Sequence, residues 1–150
     1  MSTLGTIVRV RTLRIDLMGV RLVSPNRNHT ASRGSRFAEL RRVRDLRSIV
    51  TLKLRATLDT KEPPSRVVLT RLSAGELDRD NAWSSSKPVW DAIAEVFGLP
   101  NDRELQKAGD VLQEATKRGV FGVRIEMEWL YVQNQEAGLK AGVSDPGEIR

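Results

Sequence analysis

Acidic side chains, an asparagine and a lysine are concentrated between Leu77 and Asp102 of this 150-residue chain. Asp78 and Asp80 are separated by one residue, and Asn81 follows directly. In an extended segment, this spacing would place both carboxylates on one side, with Cα atoms about 6.6 Å apart. Oxygen ligands of this kind suit hydrated Mg²⁺, with Mn²⁺ as a possible substitute. The stretch therefore predicts a metal-dependent phosphodiester site.

A predicted helix separates Lys87 from Asp102. The serines at 84–86 can cap its start, Pro88 is tolerated in a first turn, and Gly98 can end it. Lys87 would then bind the scissile phosphate or stabilise charge in the transition state. One helix length could return Asp102 to the same site as the first two aspartates.

The short pattern of two acids and an asparagine also has a purely structural interpretation. Asp80 or Asn81 could cap backbone N–H groups in an Asx-turn. Asp91 lies four residues after Lys87, so it is expected to be a helix-surface partner of that lysine and not a metal ligand.

The distribution of charge predicts a polyanionic partner. Residues 1–60 carry 13 Lys and Arg against 4 Asp and Glu, whereas residues 61–150 carry 12 against 15. Arginine dominates the basic part, and its forked guanidinium suits phosphate oxygens.

The chain has no Cys, which excludes disulfides and thiolate zinc sites. Its single histidine, His29, is interpreted as a loop residue or a phosphate contact.

Periodicity predicts an α+β fold, a single small domain in which a mixed β-sheet carries two main helices. Strands are predicted at 6–23 (broken or bulged at Gly19), 50–56, 66–72 and 121–132, a basic amphipathic helix at 35–47, and a second helix after the acidic motif. The strands at 50–56 and 66–72 are expected to form a hairpin. Residues 103–119 fit either a helix or a hairpin arm. No apolar run reaches the roughly 20 residues of a membrane span, so we expect a cytoplasmic protein without a membrane partner.

The string LDRDNAWSSSKPVWDAIAEVFGLPND resembles the RusA family of Holliday junction resolvases, especially its phage-type members. The shared pattern is acid-x-acid-Asn, then a lysine that opens an apolar helix, then an acid after a Gly-containing turn. A Pro25–Asn26 turn and a basic helix precede it, and Gln113 followed by a Val-Arg-Ile strand comes after it. The resemblance covers about residues 17–130.

This resemblance implies a homodimeric, Mg²⁺-dependent endonuclease that nicks four-way DNA junctions symmetrically. By match, Asp78, Asp80 and Asp102 would bind the metal, and Lys87 would be a base-type catalytic residue. The resemblance also favours a hairpin over residues 105–132. Two departures stand out: Asn101 occupies a position where an acid is common, and residues 1–16 extend beyond the usual start.

The resulting organisation is an N-terminal extension or strand at 1–16, a nuclease domain at 17–133 and a flexible tail at 134–150. The residues expected to contact DNA come from the polar turn, the basic helix and the acidic motif: Asn26, Arg27, Arg36, Arg41, Arg42, Arg44 and Asn81. The alternative function is a catalytically inactive DNA-binding protein of the same fold.

Overall fold

A computed structural model describes residues 7–24 and 33–133 of the chain. The elements in chain order are β1 (Ile7–Met18), α1 (Arg33–Thr57), β2 (Arg66–Ser73), α2 (Arg79–Val96), α3 (Arg103–Lys107), β3 (Asp110–Ala115) and β4 (Gly122–Gln133). The predicted α+β class is confirmed, as a small single domain with a mixed sheet and two main helices packed on it.

The four strands form one sheet in the order β1-β4-β2-β3. β4 runs antiparallel to both β1 and β2, whereas β2 and β3 are parallel. β1, β2 and β3 therefore point the same way, and their carboxyl ends meet at one edge of the sheet. The α2 and α3 helices connect the parallel neighbours β2 and β3 as a β-α-β crossover. Loops that follow three different strands are thus brought to a shared edge, called here the carboxyl edge.

One hydrophobic core lies between the helices and the inward face of the sheet. Trp90 and Ile93 of α2 are fully buried in it, as are Val123, Ile125 and Met127 of β4. The alternation predicted for β4 is confirmed by these three residues, which occupy every second position. Burial of α2 against this face fixes where its acidic start and its lysine lie.

The predicted strand at 50–56 is wrong, because these residues continue α1, which spans 25 residues. Val50 and Leu54 are buried with Leu46 at helical spacing, whereas Leu52 is 68% exposed. The apolar residues of this segment fit both the period of a strand and the period of a helix. Packing of α1 against α2 selects the helix. The hairpin partner assigned to β2 is wrong for the same reason; β2 pairs with β3 and β4.

The predicted basic helix is confirmed over 35–47, but its predicted apolar stripe packs only at its end. Phe37 and Leu40 are 57% and 66% exposed, whereas Leu46 is buried. The first half of α1 therefore presents both arginines and apolar side chains to solvent.

The hairpin predicted over 105–132 is also wrong. α3 ends at Lys107, and β3 follows as an edge strand beside β2. β2 lies between β3 and β4, so the two strands joined by the loop at 116–121 do not pair with each other. Gly109 allows this chain path, because a Cβ at that position would lie 2.7 Å from the Trp90 ring.

β1 is a single strand that ends at Met18, and the following Gly19 has a φ of +79°, a left-handed turn conformation. The strand predicted to continue after Gly19 to residue 23 is therefore wrong. Its pairing with β4 extends from Ile7 to Met18, so residues 7–16 belong to the same sheet as the rest of the domain.

His29, the Pro25–Asn26 turn and the tail at 134–150 lie outside the described residues. Within the described ranges, no helix has the length and apolar character needed to cross a membrane.

Candidate functional site

The acidic motif lies where β2 has ended and α2 begins. Asp78 is the N-cap of α2, and its carboxylate accepts hydrogen bonds from the backbone N–H of Asn81 (2.9 Å) and from Asn81 Nδ2 (2.7 Å). The predicted helix start near the serines is therefore wrong by about one and a half turns, because Asp78 already supplies the cap. Pro88 lies inside the helix.

The extended conformation assumed for Asp78 and Asp80 holds only for Asp78. Asp80 lies in the first turn of α2 and is exposed, and no other described residue forms a hydrogen bond or ion pair with its carboxylate. Both carboxylates nevertheless lie at the positive end of the helix dipole, which stabilises negative charge there. Asp80 is thus an open carboxylate at the carboxyl edge, whereas both oxygens of Asp78 accept hydrogen bonds from Asn81.

Asn81 connects the acidic motif to the segment that follows β1. Its Oδ1 accepts a hydrogen bond of 2.8 Å from the hydroxyl of Ser24, while its amide nitrogen donates to Asp78. Ser24 directly precedes the predicted Pro25–Asn26 DNA-contacting turn. Asn81 therefore has a defined structural role beside its predicted role in DNA contact.

Gln113 of β3 holds the residue that precedes the motif. Its side chain donates a 2.7 Å hydrogen bond to the carbonyl of Leu77 and accepts one of 2.9 Å from the backbone N–H of Leu77. This pair of bonds imitates a strand ladder and anchors the loop to the sheet. The sequence identified Gln113 only through the RusA resemblance. Its anchoring role has no local sequence signal, because Leu77 lies 36 residues away.

Lys87 and Asp102 meet although 15 residues separate them. Lys87 Nζ lies 2.6 Å from Asp102 Oδ2 and 2.8 Å from Asp91 Oδ1. Gln106 donates a second 2.6 Å hydrogen bond to Asp102 Oδ2. The Asp102 side chain is 7% exposed and that of Lys87 is 52% exposed. Asp102 thus returns to Lys87, whereas the sequence predicted its return to the site of Asp78 and Asp80; these three acids form no metal-binding cluster in the structure.

The protonation states of this pair follow from its geometry. Burial alone would raise the pKa of Asp102, but hydrogen bonds from Lys87 and Gln106 outweigh it and lower that pKa. Burial likewise opposes the charge of Lys87, while its bonds to Asp102 and Asp91 raise the pKa above the ordinary lysine value. Lys87 is therefore a cation at neutral pH. This state suits electrostatic stabilisation of a phosphate better than proton abstraction.

The predicted catalytic residues fall into two groups along α2. Asp80 and Lys87 are seven residues apart, hence on the same helix face but about 10.5 Å apart along the axis. Among the described residues there is no cluster of three or more acidic or histidine side chains able to hold one metal ion. Asp78 and Asp80 share the N-terminal end, and Asp102 belongs to the Lys87 group. An Mg²⁺ ion fits the first group chemically, because it is often held by one or two carboxylates with water and substrate phosphates.

Four of the arginines predicted to contact DNA lie on the exposed first half of α1: Arg36, Arg41, Arg42 and Arg44. Arg42 forms an ion pair with Glu39. Asn26 and Arg27 lie outside the described residues.

Trp83 of α2 is half-buried. Its ring stacks on that of Trp90 with centroids 5.8 Å apart. Trp83 therefore packs against the hydrophobic core.

The chain was compared with known proteins by sequence. A scan against protein-family models finds no match, and a search of curated proteins also finds none. The RusA resemblance thus stays an interpretation of the sequence motif alone.

Proposed function

We propose that this protein is an Mg²⁺-dependent endodeoxyribonuclease that cuts branched DNA, with four-way junctions as substrate. The observation that carries the proposal is the 2.6 Å contact between Lys87, in the middle of α2, and the buried Asp102, which follows that helix. Asp80 lies exposed two turns earlier on the same face. Acids that suit Mg²⁺ and a fixed cation thus border one surface of α2.

The proposed roles follow from these positions. Asp78 and Asp80 would hold the ion, which would supply an activated water and polarise the scissile phosphate. Lys87, kept charged by Asp102 and Asp91, would stabilise the additional negative charge that develops on the phosphate. Asp102 stays a proposed third metal ligand as the resemblance implies, and in the described arrangement it positions Lys87. Symmetric nicking would require two such sites, hence a homodimer.

The test is cleavage of an end-labelled synthetic four-way junction with and without Mg²⁺. Wild type should produce paired symmetric nicks only with metal, and Asp80→Asn should reduce the rate about 100-fold or more. Asp78→Asn should also lose activity yet keep its stability, because asparagine caps a helix as well as aspartate does. Glu95→Gln, on the same helix, is the matched control and should cut normally.

A second candidate is a DNA-binding protein of the same fold without catalysis. It is favoured by the engagement of both Asp78 oxygens with Asn81, and of Asp102 with Lys87 and Gln106. Tight junction binding with no cutting in Mg²⁺ or Mn²⁺ would establish this candidate and contradict the nuclease.

A further inference from the structure

A cavity of about 580 Å³ opens at the carboxyl edge, directly beside the start of α2. Its walls come from the segment after β1, the end of β2 with its following loop, the first turn of α2, and the β3–β4 loop. Three arginines line it, one from each strand end or loop: Arg21, Arg71 and Arg118. Leu77 and Asn81 also line it, so the cavity adjoins Asp78.

Arg71 is the most enclosed of the three arginines. Its guanidinium donates to the Gly75 carbonyl at 2.6 Å and lies 3.4 Å from Gln113 Oε1. Both acceptors are neutral, and Arg71 forms no ion pair within the described part of the chain. Its Nε is buried and has no hydrogen-bond acceptor there. Burial, together with the charge of Arg21, lowers the pKa of Arg71 below its ordinary value.

The charge in this cavity is poorly balanced. Among the described residues that line it, the one carboxylate is that of the exposed Glu76, against three guanidinium groups. The guanidinium carbon of Arg21 lies over the Phe121 ring, 5.0 Å from its centroid, which orients that guanidinium without neutralising its charge. An enclosed cation with like charge nearby and no acid partner is unfavourable in the free protein. An anion in the cavity would remove that cost.

We infer that the cavity formed by Arg21, Arg71 and Arg118 is a binding subsite for a backbone phosphate of the DNA strand that enters the acidic site. Guanidinium groups bind phosphate oxygens through paired hydrogen bonds, and the arginines of the cavity supply such donors from three different segments. The inference rests on the proposed function, because it takes the phosphate to belong to the DNA substrate. The subsite would fix the position of that strand relative to Asp78 and Asp80.

The experiment measures junction binding in EDTA by fluorescence anisotropy across a series of salt concentrations. The variants are Arg21→Gln and Arg118→Gln, both at exposed positions, and Arg71→Lys, which keeps the charge but loses the fork. Arg66→Gln is the matched control: Arg66 is on the same strand as Arg71, but at the opposite end and across from Glu128. Urea denaturation of each variant verifies that it is folded.

Arg118→Gln should weaken binding about fivefold to tenfold and reduce the slope of log affinity against log salt by about 0.9. Arg21→Gln should act similarly, Arg71→Lys should lower affinity with a smaller change in slope, and Arg66→Gln should alter neither. Folded variants that bind like wild type would overturn the inference. Because EDTA prevents cleavage, this result is independent of the nuclease test. Weakened binding without any cleavage by wild type would support the subsite and refute the nuclease.

A second experiment distinguishes binding of free phosphate in this cavity from binding of the DNA backbone. If millimolar inorganic phosphate raises the Tm of wild type but not of Arg118→Gln, while both bind DNA equally, the cavity holds a free anion. The assignment to the DNA backbone would then be wrong.

Discussion

Two sites with cationic side chains lie along α2: the arginine-lined cavity near its start and Lys87 in its middle. The two sites differ in how their positive charge is balanced. Lys87 is paired with two aspartates at 2.6 and 2.8 Å. Arg71 has only neutral acceptors and faces a second arginine. The first arrangement is satisfied within the chain and holds a side chain in place. The positive charge of the second arrangement is not neutralised by the described residues, as is expected of a surface that binds an external anion.

The largest effect should come from breaking the balanced group. Lys87→Met leaves Asp102 buried with Gln106 as its hydrogen-bond donor. Removing one partner of a fully buried pair costs about 3–5 kcal/mol, and since Lys87 is half exposed we expect a loss of about 2 kcal/mol. Urea unfolding near neutral pH measures this change.

The control is Lys107→Met, which breaks an exposed pair with Glu104 at 3.1 Å. That change should stay within about 0.5 kcal/mol. Equal losses in the two variants would mean that the Lys87 pair contributes no more than a surface pair.

A smaller effect is expected in the pH dependence of the same pair. The folded-state pKa of Asp102 is lowered, so its contribution is present above the unfolded value of about 3.9 and disappears as pH falls through the folded pKa. The raised pKa of Lys87 keeps the lysine charged throughout this range.

Unfolding of wild type and Asp102→Asn should therefore be compared from pH 8 down to pH 2. The difference in unfolding free energy, on the order of 1 kcal/mol, should be constant above pH 5 and shrink below pH 4. A difference that does not change with pH would show that the Asp102 charge is irrelevant to stability.

The smallest effect on stability is expected when an acidic side chain is added to the cavity that Arg21, Arg71 and Arg118 line. Ala74→Glu adds a carboxylate to the exposed rim of the cavity. Stability should change by less than about 0.5 kcal/mol, while junction affinity should fall several-fold, because the new acid competes with phosphate.

Ala74→Gln has nearly the same shape without the charge and should bind DNA like wild type. Anisotropy titrations of both variants make the comparison. Equal loss of affinity in both would indicate a steric effect and not charge compensation.

Part of this architecture follows from short-range patterns. The strand at 66–72 is correct because its β-branched residues Val67, Val68 and Thr70 favour a strand. The strand containing Val123, Ile125 and Met127 is correct because strict alternation fits a strand alone. The segment at 50–56 failed because its apolar residues satisfy both periods, and only contact with α2 distinguishes them. The hairpin over 105–132 failed because pairing partners depend on strand order, which local sequence does not encode.

The acidic motif shows the same division. Its residues and their order predict the kind of chemistry, but the predicted return of Asp102 was to Asp78 and Asp80, whereas the fold brings it to Lys87. Whether Asp78 is a free ligand or a helix cap depends on where α2 begins, and the Asp78–Asn81 bonds place that start five residues before the predicted serines. Capping and metal binding use the same oxygens, so composition alone could not separate them.

By itself, then, the sequence determined the α+β class, the cationic first part of the chain, and an acid-rich segment followed by a helix. The tertiary structure alone decided that Arg21, Arg71 and Arg118, spread over 98 positions, line one cavity beside that segment. The physical reason is strand direction. β1, β2 and β3 all run the same way, so the segments that follow them converge at one edge, and sequence separation carries no information about that convergence.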